Sequence, residues 1–295
     1  MENEKPESLP NNLAKNFEKQ LSLLQERVSS EVLTIRKSIK QLAVSTEEKF
    51  GSLPQGQFAD TELILKSLIS LVRHKNLYNL PLTPKVRESL PQTKTHGHQM
   101  MIDLILSDFV NNPELDFSVR RILEIGTIRE NLWSQSSTSR LGCIARMLET
   151  QLISVDMDPE NAVKAKEICS PYIGYIKFVT APGETYLASY EGKCPVYVYI
   201  DAYDFEHPYH SDYRQSRYEE MLGERINDKA CWQMHLDCAK QLVNKLPQNG
   251  TVVLDDVWFE DGEWRGKGHT AIPFLLKNQF SLVAQSWSTA GFRRL

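Results

Sequence analysis

The sequence has 295 residues, of which 41% are hydrophobic and 24% are charged, and its formal net charge is −4. This length and composition are typical of a folded protein with a sizeable core in one large or two smaller domains. Nucleic-acid-binding proteins usually carry a basic stripe that neutralises phosphates, and this chain has no basic excess, so we expect no nucleic-acid partner. No apolar run approaches the roughly 20 residues of a membrane span, so we expect none.

Cysteine usage and the first residues indicate the compartment. The five cysteines are odd in number, and no two of them form a Cys-x-x-Cys pair. The N-terminus lacks the basic and apolar regions of a secretory signal. We therefore expect a cytoplasmic protein with free thiols.

Residues 12–50 have the pattern of one long amphipathic helix. Apolar residues recur from Phe17 to Leu42 in steps of three and four, with one irregularity between Val28 and Val32. A narrow apolar seam of this kind is typical of a coiled coil, so we expect a homo-oligomer that forms through this helix. Alternatively, the seam packs on the chain's own catalytic domain.

The chain divides into an extension, a linker and a main domain. Gly51 to Gly56 interrupt the first helix, and a second helix with a wider apolar arc follows at about 61–74. Residues 1–78 are therefore interpreted as a helical coiled-coil extension. Residues 79–96 contain three prolines and form the predicted linker. The main domain occupies 97–295.

Strands and helices alternate in the main domain. Strand-like apolar runs occur at 121–125, 152–156, 175–179, 196–200 and 251–255. Helical patterns occur at 100–109, 138–149, 160–169 and 229–245. This order predicts an α/β fold with a mostly parallel, Rossmann-like sheet and right-handed crossovers. The segments 280–285 and 290–295 predict an antiparallel hairpin at the C-terminus.

Polar residues lie at or shortly after the end of every predicted parallel strand. They are, in chain order, Glu124 with Gly126, Asp156, Gly183 with Glu184, Asp201, and Asp255 with Asp256. Because the carboxyl ends of parallel strands meet at one edge of a sheet, these residues are expected to line a common crevice. Each buried carboxylate costs desolvation unless it has a partner, so fold stability alone does not explain this set.

The region 97–295 resembles class I S-adenosylmethionine-dependent methyltransferases. The resemblance rests on Glu124-Ile-Gly126 after the first strand, on Val155-Asp156 with Pro159 after the second, and on the order of motifs that follows. It implies S-adenosylmethionine as cofactor, with the first turn near the methionine part and Asp156 on the ribose. The implied cofactor-binding residues are Glu124, Gly126, Thr127, Asp156, Met157, Gly183, Glu184 and Asp201. Alternatively, Asp156 caps the next helix, although Asp158 suits that role better.

Within that family, the chain is most similar to the metal-dependent small-molecule O-methyltransferases of the catechol, caffeoyl-coenzyme A and macrocin types. These enzymes place an Asp after the fourth strand and an acidic pair after the fifth, which here are Asp201, Asp255 and Asp256. The resemblance implies a divalent metal, with Mg²⁺ the best match to three carboxylates. Alternatively, Asp255 and Asp256 cap the next element and bind no metal. The stretch Thr95 to Gln99 also resembles a segment that touches the cofactor.

The sequence departs from the family at three places: the first turn, the position of the base, and the segment 202–229. The first turn, Gly126 to Glu130, lacks the later glycines, and about five extra residues separate it from the next helix. The position of the catechol-type lysine base holds Asp204. The candidates for the base are therefore Asp204, His207, His210 and His269.

The segment 202–229 is long and rich in Tyr, His and Arg. We interpret it as a lid that recognises the substrate, with Arg214 and Arg217 suited to phosphate or carboxylate groups. Alternatively, it is a polar surface insertion.

The resemblance implies an enzyme that methylates a hydroxyl group of a small molecule or a saccharide. Two alternatives remain: a degenerate methyltransferase-fold scaffold that works through its coiled coil, and a hydroxylase-like relative with the same fold.

Overall fold

The computed structural model describes residues 96–112, 114–129, 136–191, 194–208 and 210–295. The expected coiled coil, the second helix and nearly all of the linker lie outside the described residues. So do most of the extra residues after the first turn. No helix in the described part of the chain combines the length and hydropathy needed to cross a membrane.

The helices in the described residues are short to medium in length. They are α1 (Gly97–Asn111), α2 (Ser137–Met147), α3 (Pro159–Ile168), α4 (Gly183–Ser189), α5 (Asp212–Leu222), α6 (Asp228–Lys245) and α7 (Ala271–Lys277). Two 3-10 segments, Phe117–Val119 and Ser170–Tyr175, lie between them. Asp158 caps α3 by accepting the backbone N–H of Glu160, and Pro159 is the first helical residue, as the sequence predicts.

Seven strands form the main sheet in the order β3-β2-β1-β4-β5-β9-β8. They are β1 (Ile122–Ile125), β2 (Leu152–Asp156), β3 (Ile176–Thr180), β4 (Tyr197–Ile200), β5 (Thr251–Asp255), β8 (Phe280–Gln285) and β9 (Thr289–Arg294). The first five are parallel, and β9 is antiparallel to both β5 and β8. The predicted Rossmann-like methyltransferase fold, mostly parallel with a C-terminal antiparallel hairpin, is confirmed.

Helices cover both faces of this sheet. On one face, Leu123, Val198 and Val252 pack with residues of α4, α6 and α7 in the main hydrophobic cluster. On the other face lie α1, which contacts β4, β5 and β9, and α2 and α3, which contact the β1–β3 side. Because β1, β4 and β5 are covered on both faces, their residues are buried throughout, which explains their continuous apolar runs.

Besides the two 3-10 segments, four elements of the structure were not predicted from the sequence. They are the short helices α4 and α7, the helix α5 inside the segment 202–229, and a separate two-stranded hairpin of β6 (Val257–Glu260) and β7 (Glu263–Gly266). The hairpin turns at Asp261 and Gly262, which have φ values of 52° and 81°. Asp-Gly is a strong signal for such a turn, so this hairpin was predictable.

Candidate functional site

A cavity of about 440 Å³ lies at the carboxyl ends of the parallel strands. Its walls come from the segments after β1, β2, β3, β4 and β5, from the start of α1, and from one side of α5. This volume suits a ligand of cofactor size. Most of the predicted site residues line it: Gly126, Thr127, Asp156, Met157, Gly183, Glu184, Asp201, Asp204, His207, Asp255 and Asp256.

The turn after β1 is held by side chains instead of further glycines. Gly126 has φ 102°, and a Cβ at this position would lie 2.5 Å from the backbone oxygen of Asp201, so only glycine fits there. The backbone N–H of Thr127 donates to Asp156 Oδ2 over 2.9 Å. The N–H of Ile128 donates to Thr138 Oγ1 over 2.8 Å. The turn therefore keeps its shape without a glycine-rich sequence.

Asp156 organises the cavity wall at the end of β2. Besides the Thr127 N–H, its carboxylate accepts the backbone N–H of Asp158 over 2.9 Å and the side-chain amide of Asn161 over 3.1 Å. Burial raises the pKa of Asp156, and these donors oppose that rise. A carboxylate can accept about four hydrogen bonds, so roughly one acceptor position remains for a ligand in the cavity.

Glu124 is placed differently from the expectation. Its side chain is fully buried, does not line the cavity, and accepts the Ser154 hydroxyl over 2.6 Å. Alternation along β1 turns it away from Leu123 and Ile125, which lie in the main cluster. Burial raises the pKa of Glu124 to about 7. Glu124 therefore links the ends of β1 and β2 through Ser154. The direct contact with the cofactor that the sequence predicts does not fit this position.

Both carboxylate oxygens of Asp255 form hydrogen bonds within the protein. Its Oδ2 accepts the backbone N–H of Gly97 over 3.0 Å and lies 2.8 Å from the Tyr199 hydroxyl, while its Oδ1 accepts the N–H of Asp256 over 3.0 Å. A Cβ on Gly97 would lie 2.8 Å from the Asp255 carboxyl carbon, so the start of α1 packs directly on this side chain. Burial, together with the nearby Asp201 and Asp256, raises the pKa of Asp255 to about 7.

A lysine ammonium lies between the other two acids. Lys267 Nζ is 2.7 Å from Asp201 Oδ1 and 3.0 Å from Asp256 Oδ2, and the lysine side chain is 3% exposed. Burial opposes the charge of Lys267, but Asp201, Asp256 and Asp204 together raise its pKa well above the ordinary value. The ammonium is thus held as the counter-ion of the acids.

The predicted metal site does not fit this arrangement. Lys267 lies between Asp201 and Asp256, and Asp255 is occupied by N–H and O–H donors. Across the described residues, no group of three or more His, Cys, Asp or Glu side chains is arranged to hold a metal ion. The reason is physical: a divalent cation in this place would have to displace a buried ammonium from its two carboxylates.

Asp204 is an ion-pair partner with poor properties for a base. Its carboxylate lies 3.1 Å from Arg129 Nη1 and 3.8 Å from Arg214 Nε, and the Tyr218 hydroxyl is 3.2 Å away. Burial would raise the pKa of Asp204, but Arg129 and Lys267 outweigh it and hold the pKa well below the usual range. Such a carboxylate takes up a proton poorly near neutral pH.

The three predicted histidines are not equivalent. His207 lines the cavity and stacks on His210 at 3.7 Å between ring centroids. Burial and the neighbouring His210 lower the pKa of His207. The Nε2 atom of His210 lies 2.8 Å from the Phe205 carbonyl, and Nδ1 of His269 lies 2.8 Å from the Trp264 carbonyl. Neither His210 nor His269 lines the cavity, so the geometry favours His207 as the base.

Helix α5 forms one wall of the cavity, as the lid interpretation expects. Arg217 donates through Nε and Nη2 to the two oxygens of Asp158, over 3.0 and 2.6 Å. Tyr213 donates to Glu160 over 2.9 Å. Both contacts join α5 to the start of α3, next to Asp156. Of the two arginines expected to bind an anionic substrate, Arg217 is therefore already paired with Asp158, and Arg214 lies 3.8 Å from Asp204.

Sequence reasoning missed Lys267 in the cavity wall, and it gave His98 no role beyond its place in the segment Thr95 to Gln99. Lys267 was overlooked because it is far in sequence from Asp201. The one signal was its position between Gly266 and Gly268, since glycines often mark an unusual backbone conformation. His98 is also buried in this wall, with Arg140 Nη1 at 3.2 Å from its Nε2. Burial and Arg140 lower the pKa of His98 to about 3, so it is neutral near pH 7.

No protein-family model matches the sequence, and no curated protein matches it either. Several solved structures are similar at low identity. The SAH-bound Podospora anserina methyltransferase PaMTH1 is 15% identical, covering 88% of this chain and 96% of that chain, with a TM-score of 0.42. Cofactor-bound Rv0187 from MTB is 15% identical, covering 82% and 98%, with a TM-score of 0.39. TrmN from Thermus thermophilus is 12% identical over 65% of this chain, which spans about half (48%) of TrmN, with a TM-score of 0.39.

Proposed function

We propose that this protein is an S-adenosylmethionine-dependent methyltransferase that acts on a hydroxyl group of a small molecule or a saccharide. The observation that supports this most is the cavity where Gly126, Thr127, Asp156, Gly183 and Asp201 meet. These residues come from four different strand ends of one sheet. Their meeting is what the motif order in the sequence predicts for a cofactor site at the strand ends.

Asp156 and the first turn are the proposed cofactor-binding elements. Three donors from the protein fix the Asp156 carboxylate, and its remaining acceptor position suits a ribose hydroxyl. Met157 and Gly183 line the cavity beside it. The close packing of Gly126 on Asp201 brings the first and fourth strand ends together, where the methionine part would lie.

The bound cofactor would supply a methyl group on a sulfonium. The acceptor oxygen would form a bond to that methyl carbon as the sulfur–carbon bond broke, which would give a methyl ether and a neutral thioether. The hydroxyl proton passes to a base, for which we propose His207, because it lines the cavity and burial favours its neutral form. The wall formed by α5 would orient the acceptor and exclude water.

Calorimetric titration of the full chain with S-adenosylhomocysteine tests the cofactor assignment. We expect one binding site per chain at micromolar affinity. No heat of binding at millimolar ligand would contradict the proposal and favour the scaffold alternative. An acceptor screen with radiolabelled S-adenosylmethionine should then include phenols, sugars, nucleotide sugars and RNA. Methylation of RNA alone would contradict the small-molecule acceptor.

A further inference from the structure

We infer that the ammonium of Lys267 is the resident cation of the Asp201–Asp256 pair, and that it takes the place of a divalent metal and directs the acceptor oxygen. The role toward the acceptor rests on the proposed function, whereas the exclusion of a metal does not. Both follow from how the β6–β7 hairpin delivers this lysine to the end of β5.

Backbone contacts fix the position of Lys267 next to Asp256. The N–H of Lys267 donates to the Asp256 carbonyl over 3.0 Å, and the indole N–H of Trp232 donates to the Gly266 carbonyl over 3.1 Å. Gly266 has φ 70°, and a side chain there would collide with the Asp256 carbonyl. Asp256 itself has φ 52°. The left-handed backbone conformations of Asp256 and Gly266 therefore bend the chain so that Lys267 lines the cavity.

The two carboxylates share one buried cation. Lys267 carries one positive charge at hydrogen-bonding distance from two carboxylates, and its side chain is almost completely buried. A buried charge is tolerated when it is paired, and removing one member leaves its partners uncompensated. Lys267 therefore supplies part of the neutralisation that a divalent cation would supply at this pair of carboxylates.

Asp255 gives a second, independent reason. A metal site built from the three predicted carboxylates would need Asp255 as a ligand, but both Asp255 oxygens accept hydrogen bonds from the protein. One of those donors is the backbone of Gly97, at the start of α1, so turning Asp255 toward a metal would break the hydrogen bond that joins this helix start to β5. The set of acids predicted from the sequence is thus divided between anchoring α1 and holding the ammonium.

The ammonium has a donor left for a ligand. It carries three N–H groups, and within the described residues its partners are Asp201 and Asp256. Lys267 also lines the cavity. Its third N–H would hold the acceptor oxygen and stabilise the negative charge that grows on it as the proton leaves, an effect that is strong in a site closed to water.

Manganese binding tests the exclusion of a metal without any methyl transfer. The chelator-treated full chain is titrated with Mn²⁺ and followed by the electron paramagnetic resonance of the free ion. We expect no site below millimolar Mn²⁺ in the wild type and in Lys240→Met, a surface-lysine control. We expect a new site in Lys267→Met that disappears in the double variant Lys267→Met/Asp256→Asn. A wild-type site that Asp256→Asn removes would overturn the inference, as would the absence of any gain in a folded Lys267→Met.

A second measurement addresses the acceptor and uses the wild type alone, so it does not depend on a variant that folds. Once an acceptor is identified, the methylation rate is compared in excess chelator and in millimolar Mg²⁺. We expect rates that agree within about twofold. A loss of tenfold or more in chelator that Mg²⁺ restores would overturn the inference and leave the proposed methyltransferase function standing. Failure to bind S-adenosylhomocysteine would overturn the proposed function, and with it the role of Lys267 toward the acceptor. It would leave the exclusion of a metal standing.

Discussion

The backbone N–H of Thr127 donates to the carboxylate of Asp156 over 2.9 Å, and this bond ties the turn after β1 to the end of β2. In a glycine-rich loop the backbone alone shapes this turn. Here an acid on the neighbouring strand holds it, so the residue proposed to bind the ribose also maintains the turn. Binding and local stability are therefore coupled at Asp156.

Asp156→Ala should damage both properties. The change leaves the N–H groups of Thr127 and Asp158 and the amide of Asn161 without their acceptor, which should lower the free energy of unfolding by about 1–3 kcal/mol. Affinity for S-adenosylhomocysteine should fall at least tenfold, or about 1.4 kcal/mol. Urea unfolding and calorimetry measure the two effects. Asp237→Ala, which removes contacts with Gln233 and Lys240 within α6, should leave the affinity unchanged. Unaltered affinity in Asp156→Ala would contradict the ribose assignment.

Gly126→Ala should destabilise the domain much more than an ordinary glycine substitution. The residue has φ 102°, and the new Cβ would lie 2.5 Å from the Asp201 backbone oxygen. Backbone strain and overpacking together predict a loss of roughly 2–5 kcal/mol. Gly174→Ala is the matched control, because a Cβ at that position has no neighbour within 4 Å. Equal unfolding midpoints for the two variants would show that the turn after β1 relaxes.

The buried carboxyl groups predict how stability changes with pH. Burial raises the pKa of Glu124 to about 7 from an ordinary 4.5, so the folded state keeps a proton that the unfolded state has released. Stability from this group is therefore greatest below about pH 4.5 and is lost as the pH rises toward 7, by an amount on the order of 1–3 kcal/mol. Asp204 acts in the opposite direction, because its lowered pKa makes it stabilising above the ordinary value of 3.8 and less so as the pH falls below it.

Glu124→Gln isolates the first of these effects. The amide cannot ionise, so the decline in unfolding free energy between pH 5 and pH 8 should be smaller than in the wild type. Glu167→Gln, on the exposed side of α3, should leave the decline unchanged. Chemical denaturation at several pH values measures it, and parallel curves for Glu124→Gln and the wild type would rule out a buried, protonated Glu124.

The bidentate pair between Arg217 and Asp158 should control how firmly α5 closes the cavity. In Arg217→Met, the helix loses its link to the start of α3, so hydrogen exchange in α5 should accelerate. The KM for an acceptor should rise while the affinity for S-adenosylhomocysteine changes little. Arg225→Met removes an exposed pair with Glu219 and is the control. Unchanged exchange in α5 would mean that other contacts hold the helix.

The parallel sheet was predictable because β1, β4 and β5 are buried on both faces, which forces continuous apolar runs. Helix α5 was not, since its sequence is polar and its boundaries depend on local capping: Ser211 accepts the N–H of Arg214, and Gly223 ends the helix with φ 76°. The sequence correctly brought Asp156, Glu184, Asp201, Asp255 and Asp256 to one cavity, whereas Glu124 lies outside it. The cation that pairs with Asp201 and Asp256 was not predictable, because nothing near Asp201 in the sequence indicates that Lys267 packs against it in the fold.

His207 should be the histidine on which methyl transfer depends. It lines the cavity, whereas His269 is turned to the Trp264 carbonyl outside it. Replacing the base should lower kcat by roughly 10²–10⁴-fold, so His207→Gln should show this loss while it still binds S-adenosylhomocysteine normally. His269→Gln should keep wild-type kcat.

Because burial and His210 lower the pKa of His207, the wild-type rate should fall only at a pH below the ordinary imidazole value of 6.5, where the ring takes up a proton. A pH profile of kcat with this acid limb, absent in His207→Gln, would identify the base, and an unchanged profile would assign the proton to another group.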